Sequence, residues 1–136
     1  MKLPSKPIRE FMTPMPTMMS METPLVEARK LMDEHGIRHL PILDGEKLVG
    51  VVSRRELDML MASLTFNAKL LSIADAMTDL PFSVPPDTAL SVVCDEMAAN
   101  KYGCAVVMEA GKVEGIFTTT DALQVLADIV RGIPER

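Results

Sequence analysis

The feature that most constrains this chain is an internal repeat that spans almost its whole length. Displacing the sequence by 65 positions aligns identical residues without a gap: Ile8 with Ile73, Met12-Thr13 with Met77-Thr78, Thr23 with Thr88, Leu25 with Leu90, Met32 with Met97, Lys47 with Lys112 and Gly50 with Gly115. Conservative pairs share this displacement, including Ser53 with Thr118 and Glu56 with Asp121. The chain is therefore expected to fold as two copies of one plan.

Each half predicts the same order of elements, β-α-β-β-α. In the first half a leading Met-Thr segment is followed by a helix from the N-cap Thr23 and Pro24 to Gly36, strands at 37–43 and 48–52 joined by a turn at Asp44-Gly45, and a helix from about Arg54 to Phe66. In the second half they are a helix capped by Thr88 or Asp87, strands at 105–108 and 113–117, and a helix at 122–130.

The predicted domain organisation follows from the size of this unit. A unit of about 60 residues cannot bury both faces of its small sheet alone, whereas two packed units can. We expect an α/β (α+β) fold of two tandem repeats, packed by pseudo-two-fold symmetry through their small sheets. The predicted boundaries are repeat 1 at 1–66, a linker at 67–75, repeat 2 at 76–131 and a tail at 132–136.

Composition excludes several classes of protein. The chain has 14 Lys and Arg against 19 Asp and Glu, a net charge of −5, which argues against a nucleic-acid partner. No apolar run approaches the ~20 residues that cross a bilayer. The N-terminus carries no signal-peptide pattern, and the two cysteines, Cys94 and Cys104, lie in apolar surroundings. We predict a cytoplasmic protein with reduced thiols and no membrane contact.

The motifs of the two halves resemble those of paired cystathionine β-synthase (CBS) domains, also called a Bateman module. In the first half the resemblance rests on Phe11-Met12-Thr13-Pro14, on the segment from His35 to Ile42 and on the segment from Gly50 to Leu57. In the second half it rests on Ala76-Met77-Thr78 and on the segment from Gly115 to Ala122. It covers nearly the whole chain, from about Ile8 to Val130, which implies a stand-alone module.

The resemblance implies a regulatory function. Paired modules of this family bind adenine nucleotides or related adenosyl compounds in two clefts between the repeats, and they regulate a partner protein. We therefore expect AMP, ADP or ATP as the ligand, an unidentified regulated protein as partner, and a homodimer formed through apolar helix faces. Those faces carry Leu57, Leu60, Met61 and Leu64 in one repeat and Leu123, Leu126 and Ile129 in the other. No cofactor, metal or enzymatic activity is expected.

The resemblance also implies the binding residues. A Ser/Thr-x-x-Asp at the start of a repeat's last helix holds the ribose through its carboxylate, and Thr118-x-x-Asp121 matches it in full, whereas Ser53-x-x-Glu56 is longer by one methylene. The preferred cleft combines Thr118 and Asp121 with Arg38, His39, Pro41 and main chain around Ile8. The weaker cleft combines Ser53, Glu56, Arg54 and Arg55 with Ala74, Tyr102, Gly103 and Cys104.

The residues alone leave alternatives open. Both motifs also read as capping boxes, although Asp121 is short for the reciprocal cap. In that case the chain is a ligand-independent module for dimerisation or protein interaction. A binder of S-adenosylmethionine or a similar adenosyl compound is a third hypothesis. The methionines at 12, 15, 18, 19 and 21 suit either gap filling or copper(I).

Overall fold

The computed structural model describes residues 5–63, 72–79 and 81–132, and the chain in it divides into two compact units. The central unit is Thr17–Pro81. The terminal unit combines Met1–Pro16 with Phe82–Arg136. The last three positions of the helix predicted to end at Phe66 lie outside the described residues, as does most of the predicted linker.

The elements follow the predicted order in both halves. The strands are β1 (Thr13–Pro14), β2 (Met19–Ser20), β3 (His39–Asp44), β4 (Lys47–Ser53), β5 (Thr78–Asp79), β6 (Ser83–Val84), β7 (Cys104–Glu109) and β8 (Lys112–Thr118). The α-helices are α1 (Leu25–His35), α2 (Arg54–Ser63), α3 (Leu90–Asn100) and α4 (Thr119–Val130), and short 3-10 helices span Ile8–Glu10 and Ile73–Asp75. In the described part of the chain these form two four-stranded sheets, which confirms the predicted α+β class.

The two sheets exchange the leading segments of the two repeats. The order in the central unit is β2-β3-β4-β5, and in the terminal unit it is β1-β8-β7-β6. Strand β5 comes from repeat 2 but pairs with β4, and β1 comes from repeat 1 but pairs with β8. The compact units therefore change over after Pro16 and after Pro81. The predicted boundaries at 66 and 76 mark sequence repeats, which differ from these units.

Each unit has its own hydrophobic core beneath its sheet. The central core holds Leu25, Ala28, Met32, Leu40, Ile42, Val52, Leu57 and Ile73. The terminal core holds Ile8, Phe11, Val84, Leu90, Val93, Met97, Ala105, Val107 and Phe117. The helical spacing of Leu25, Ala28 and Met32, matched by Leu90, Val93 and Met97, turns one face of each first helix onto the sheet.

Two repeated glycines allow the exchanged segments to approach the sheets closely. A Cβ at Gly50 would lie 2.7 Å from Sδ of Met77 and 2.9 Å from the carbonyl oxygen of Thr78. A Cβ at Gly115 would overlap Sδ of Met12 and lie 2.9 Å from the carbonyl oxygen of Thr13. The repeated Met-Thr pair and the repeated glycine are therefore packing partners.

The starts of the first helices differ from the prediction. Helix α1 begins at Leu25 with Pro24 as its N-cap, and α3 begins at Leu90 with Ala89 as its N-cap, neither with a side-chain cap. The prediction of Thr23 and of Thr88 or Asp87 as caps was wrong. The main chain here serves tertiary contacts instead, since the Ile73 amide donates to the Thr23 carbonyl and the Ile8 amide to the Thr88 carbonyl.

The predicted end of the first helix is confirmed. Gly36 is the C-cap of α1 and has a left-handed backbone with φ of 62°, a conformation in which glycine carries no Cβ penalty. Lys101 occupies the equivalent place after α3 with φ of 58°. In the described part of the chain no helix is long and apolar enough to span a bilayer.

Candidate functional site

The Thr118–Asp121 motif lies at the start of α4 in the terminal unit. Thr118 is the N-cap, and its hydroxyl accepts a hydrogen bond from the Asp121 amide at 3.2 Å. In return Oδ2 of Asp121 accepts from the Thr118 amide at 2.9 Å and from the Thr118 hydroxyl at 3.2 Å. The expectation that aspartate is too short for the reciprocal cap was therefore wrong.

The capping box leaves one oxygen of Asp121 available. Both hydrogen bonds that the Asp121 side chain accepts use Oδ2, and in the described ranges no hydrogen bond to Oδ1 is found. The side chain is half-buried at a helix N-terminus, where free amides and the helix dipole favour negative charge. Capping and ligand binding are thus compatible at this motif.

The Ser53–Glu56 motif lies at the start of α2 in the central unit and is more fully bonded. Oε1 of Glu56 accepts from the Ser53 amide at 3.2 Å and from the Ser53 hydroxyl at 2.8 Å. Oε2 accepts from the Thr78 hydroxyl at 2.7 Å. Thr78 was not among the predicted site residues, although its repetition with Thr13 in the Met-Thr pair was a usable signal.

Each helix start is joined to the strand start that precedes it in the same repeat. The Arg54 amide donates to the Arg38 carbonyl at 2.7 Å, and His39 pairs with Ser53 across β3 and β4. Arg38 and His39 therefore lie beside the Ser53–Glu56 motif.

The terminal unit repeats this arrangement. The Thr119 amide donates to the Gly103 carbonyl at 3.1 Å, and Cys104 pairs with Thr118 across β7 and β8. Gly103 and Cys104 therefore lie beside the Thr118–Asp121 motif. The predicted grouping of Thr118 and Asp121 with Arg38 and His39 joins residues of different units and stays a prediction.

His39 is a half-buried imidazole with a perturbed pKa. Burial lowers the pKa of His39, the neighbouring Arg38 charge lowers it further, and Glu56 partly offsets both effects. The ring is therefore neutral at neutral pH and offers a hydrogen bond there. A positive charge would appear only at a lower pH than in a free histidine.

The pKa of His39 predicts a pH dependence of stability. Because the folded-state pKa lies below the unfolded value of about 6.5, the unfolded chain binds the proton more readily. The free energy of unfolding is then highest above that pH and falls as the pH decreases below it. Urea unfolding at pH 7.5, 6.5 and 5.5 should show this loss, and His39→Gln should reduce it. His35→Gln, at an exposed site, is the control and should leave the change of the free energy of unfolding with pH as in the wild type. The assignment would be contradicted if His39→Gln showed the same pH dependence as the wild type and this control.

Of the predicted basic residues, Arg54 is engaged within its own unit. Its guanidinium binds Asp33 on α1 and Asp58 on α2, with Nε 3.1 Å from both Asp58 oxygens. The hydrogen bond to Asp33, assisted by that to Asp58, raises the pKa of Arg54. Arg38 and Arg55 are exposed, and neither forms an ion pair with another described residue.

Other predicted site residues have packing roles. The Tyr102 ring stacks on Phe82 with centroids 5.0 Å apart and an angle of 23°. Ile8 is fully buried in the terminal core and its amide is bonded to Thr88. Cys104 and Pro41 are buried in β7 and β3, whereas Ala74 is half-buried in the second 3-10 helix and Gly103 half-buried before β7.

The methionine-rich segment is divided between the two cores. Met12 packs against the terminal core, and Met19 and Met21 against the central one. Met15 is 86% exposed. This distribution fits the gap-filling interpretation. In the described ranges no cluster of three or more His, Cys, Asp or Glu side chains suits a metal ion.

The apolar helix faces are unequal. Leu57 is fully buried in the central core, so its predicted place on an exposed face was wrong. Leu60 and Met61 pack partly against the same core, and Leu64 lies outside the described residues. On α4, in contrast, Leu123, Leu126 and Ile129 are 65%, 54% and 50% exposed.

Comparison with known families supports the repeat structure. The family model of the CBS domain matches the chain twice, at residues 8–63 and 73–128. A curated relative, the inosine-5'-monophosphate dehydrogenase of Korarchaeum cryptofilum, is 39% identical over 115 residues. That match covers 84% of this chain but only 22% of the relative, so the chain spans about a fifth of that protein's length.

Two solved structures combine a similar fold with a bound nucleotide. CBSX2, a CBS-pair protein of Arabidopsis thaliana, in complex with AMP has a TM-score of 0.77 and 28% identity, covering 91% of this chain and 98% of that one. The CBS domain of a bacterial CNNM/CorC family Mg²⁺ transporter in complex with ATP has a TM-score of 0.79 and 25% identity, covering 92% of this chain and 89% of that one.

Proposed function

Because the chain belongs to the CBS domain family, we propose that it is a regulatory module that binds an adenine nucleotide of the AMP, ADP or ATP class. Occupancy of the site is transmitted to a partner protein. Support comes from the bound AMP and ATP of the two similar structures and from Oδ1 of Asp121, which has no hydrogen-bond partner among the described residues. In this role the module binds and releases the nucleotide without making or breaking a covalent bond.

The bonding of the Asp121 carboxylate is the observation that carries this proposal. Its Oδ2 accepts from the amide and hydroxyl of Thr118, while Oδ1 remains able to accept hydrogen bonds from a ligand. Ribose hydroxyls are donors, and hydrogen bonds to an ionised carboxylate are stronger than neutral ones. A phosphate is favoured near the free amides of the same helix start.

Arg38 and His39 are proposed to bind the phosphates, as the family resemblance implies. An exposed guanidinium without an ion-pair partner in the described ranges, such as that of Arg38, offers a bidentate donor for a phosphate. His39 contributes an N–H donor but no positive charge at pH 7, because its lowered pKa keeps the ring neutral there. Arg54 is a weaker candidate, since Asp33 and Asp58 already hold it.

A nucleotide regulates this module only through a difference in affinity between two of its arrangements. A ligand that binds the folded chain also raises its apparent stability by mass action. A saturable increase in the melting temperature is therefore the simplest signal of binding.

Asp121→Ala tests the proposed function. Removing the carboxylate should weaken adenine-nucleotide binding by about 10- to 100-fold, the value of hydrogen bonds to a charged group. Loss of the cap should cost about 1 kcal/mol of the free energy of unfolding. The measurements are calorimetric titration and melting of nucleotide-stripped protein with AMP, ADP and ATP.

Asp95→Ala is the matched control, because Asp95 is an exposed carboxylate on α3 of the same unit. It should leave the affinity unchanged. If no adenine nucleotide binds the wild type, or if Asp121→Ala binds as the wild type does, the nucleotide-sensing proposal fails. A response to S-adenosylmethionine alone would move the assignment to adenosyl compounds.

The exposed face of α4 favours a second candidate function, a module for dimerisation or protein interaction that needs no ligand. Leu123, Leu126 and Ile129 form an apolar stripe at helical spacing. The complete cap at Thr118–Asp121 also fits this reading, because it gives the carboxylate a structural role.

We also propose that this stripe forms a homodimer, so Leu126→Glu should shift the sedimenting species from dimer to monomer. The charge would have to be buried without a partner, which an apolar interface cannot accommodate. Gln124→Glu adds the same charge outside the stripe and should leave the mass unchanged. A wild type that sediments as a monomer would contradict the dimer.

A further inference from the structure

The two repeated carboxylates differ in how completely their oxygens are bonded. Glu56 uses both of its oxygens, Oε1 with Ser53 and Oε2 with the Thr78 hydroxyl at 2.7 Å. Among the described residues, Asp121 uses Oδ2 alone, with Thr118. The exchanged strand β5 thus brings a hydroxyl to the first-repeat carboxylate.

The backbone presents the equivalent threonine to the second-repeat carboxylate in the same way. Thr78 pairs with Val51, and Thr13 pairs with Ile116, its counterpart at the displacement of 65. Both threonines are exposed, and each carbonyl oxygen lies 2.9 Å from the Cβ position of the repeated glycine in its unit.

By strand pairing, Thr13 is therefore the counterpart, beside the Asp121 motif, of Thr78 beside the Glu56 motif. In the described ranges no hydrogen bond joins Thr13 to Asp121, whereas Thr78 and Glu56 are bonded. The difference in chemistry between the two carboxylates is one methylene. The longer glutamate reaches the threonine hydroxyl, and the shorter aspartate stops at its cap.

We propose that the Thr78 hydroxyl acts as an internal substitute for a ligand hydroxyl, which closes the first-repeat motif and limits the chain to one bound nucleotide, at Thr118–Asp121. The inference rests on the proposed function and adds its stoichiometry and the residues that set it. A ribose hydroxyl at Glu56 would only replace an existing hydrogen bond, so it would gain little. At Asp121 it would find an oxygen that the protein leaves open.

A reciprocal exchange of the two acids tests the inference. Calorimetric titration of the wild type with AMP should give one site per chain. Asp121→Glu keeps the charge but lets the longer side chain reach Thr13, and it should weaken AMP binding roughly tenfold or more. Glu56→Asp frees the first motif from Thr78 and should raise the stoichiometry from one site to two.

Thr13→Val supplies the control for the Asp121→Glu variant. By itself it should leave AMP affinity near the wild-type value. Combined with Asp121→Glu it removes the closing hydroxyl, and the affinity should recover to within roughly threefold of the wild type. A double variant as weak as Asp121→Glu alone would show that the hydroxyl of Thr13 plays no part, and would overturn the inference.

A measurement without nucleotide tests the closing contact independently. Thr78→Val removes a hydrogen bond to a carboxylate and should lower the urea midpoint, whereas Thr13→Val should not. Equal effects would overturn the inference, as would two AMP sites in the wild type or wild-type affinity in Asp121→Glu. Failure of the proposed function gives a different pattern, in which neither the wild type nor Glu56→Asp binds AMP.

Discussion

Phe117→Ala is expected to lower the free energy of unfolding by about 3–5 kcal/mol. Phe117 is fully buried on β8 and belongs to the core that includes Ile8, Phe11 and Leu90. Truncation removes the transfer free energy of the ring and leaves a cavity that a packed sheet and helix fill poorly. Urea denaturation followed by circular dichroism measures the loss.

Two comparisons make the result specific to Phe117. Phe117→Leu keeps most of the volume and should cost clearly less than the alanine variant. Tyr102→Ala removes an aromatic ring that is 40% exposed and should also cost less. A Phe117→Ala loss below about 1 kcal/mol would be too small for a buried ring and would contradict its placement in the core.

Gly115→Ala is expected to lower the free energy of unfolding by about 3 kcal/mol, at the upper end for an overpacked site. The new Cβ would overlap Sδ of Met12 and lie 2.9 Å from the carbonyl oxygen of Thr13. The thioether can move, but the carbonyl belongs to β1, which is paired with β8 at this position. The clash with the Thr13 carbonyl can therefore be relieved only if β1 moves away from β8.

A double-mutant cycle identifies the part of this cost that comes from Met12. Gly115→Ala should cost less in a Met12→Ala background than in the wild type, because the sulfur is then absent while the Thr13 carbonyl remains. Gly50→Ala is the matched variant of the central unit, where Met77 and Thr78 take the same positions. Near-neutral effects at both glycines would contradict the close approach of the exchanged segments.

Local chemistry made much of this fold predictable from sequence. The period of Leu25, Ala28 and Met32 specified α1, and Gly36 ended it because glycine adopts the left-handed backbone freely. The turns of the two hairpins, at Asp44↔Lys47 and Glu109↔Lys112, and the capping box at Thr118 likewise join residues three positions apart. Such patterns are legible because their partners are neighbours in the chain.

The helix starts at Leu25 and Leu90 were predicted less well for the opposite reason. Threonine is a residue type that favours N-caps. The carbonyls of Thr23 and Thr88, however, accept hydrogen bonds from the amides of Ile73 and Ile8, which lie far away in sequence. These tertiary hydrogen bonds fix the backbone before each helix and displace the local preference. The exposure of the apolar helix faces could not be predicted from the sequence either. Leu57 and Leu126 lie in similar apolar helical patterns, yet Leu57 is buried and Leu126 is exposed.

The sequence by itself determined the duplicated plan, the order of its elements, the family and the two helix-start motifs, since each of these depends on residue types at fixed spacing. Only the tertiary structure decided that β1 and β5 exchange between the sheets, and that Thr78 bonds to Glu56 while Oδ1 of Asp121 has no partner in the part of the chain that the structure describes. The physical reason is the reach of a hydrogen bond. Its formation depends on where the chain path places distant atoms, and one methylene is enough to make or lose it.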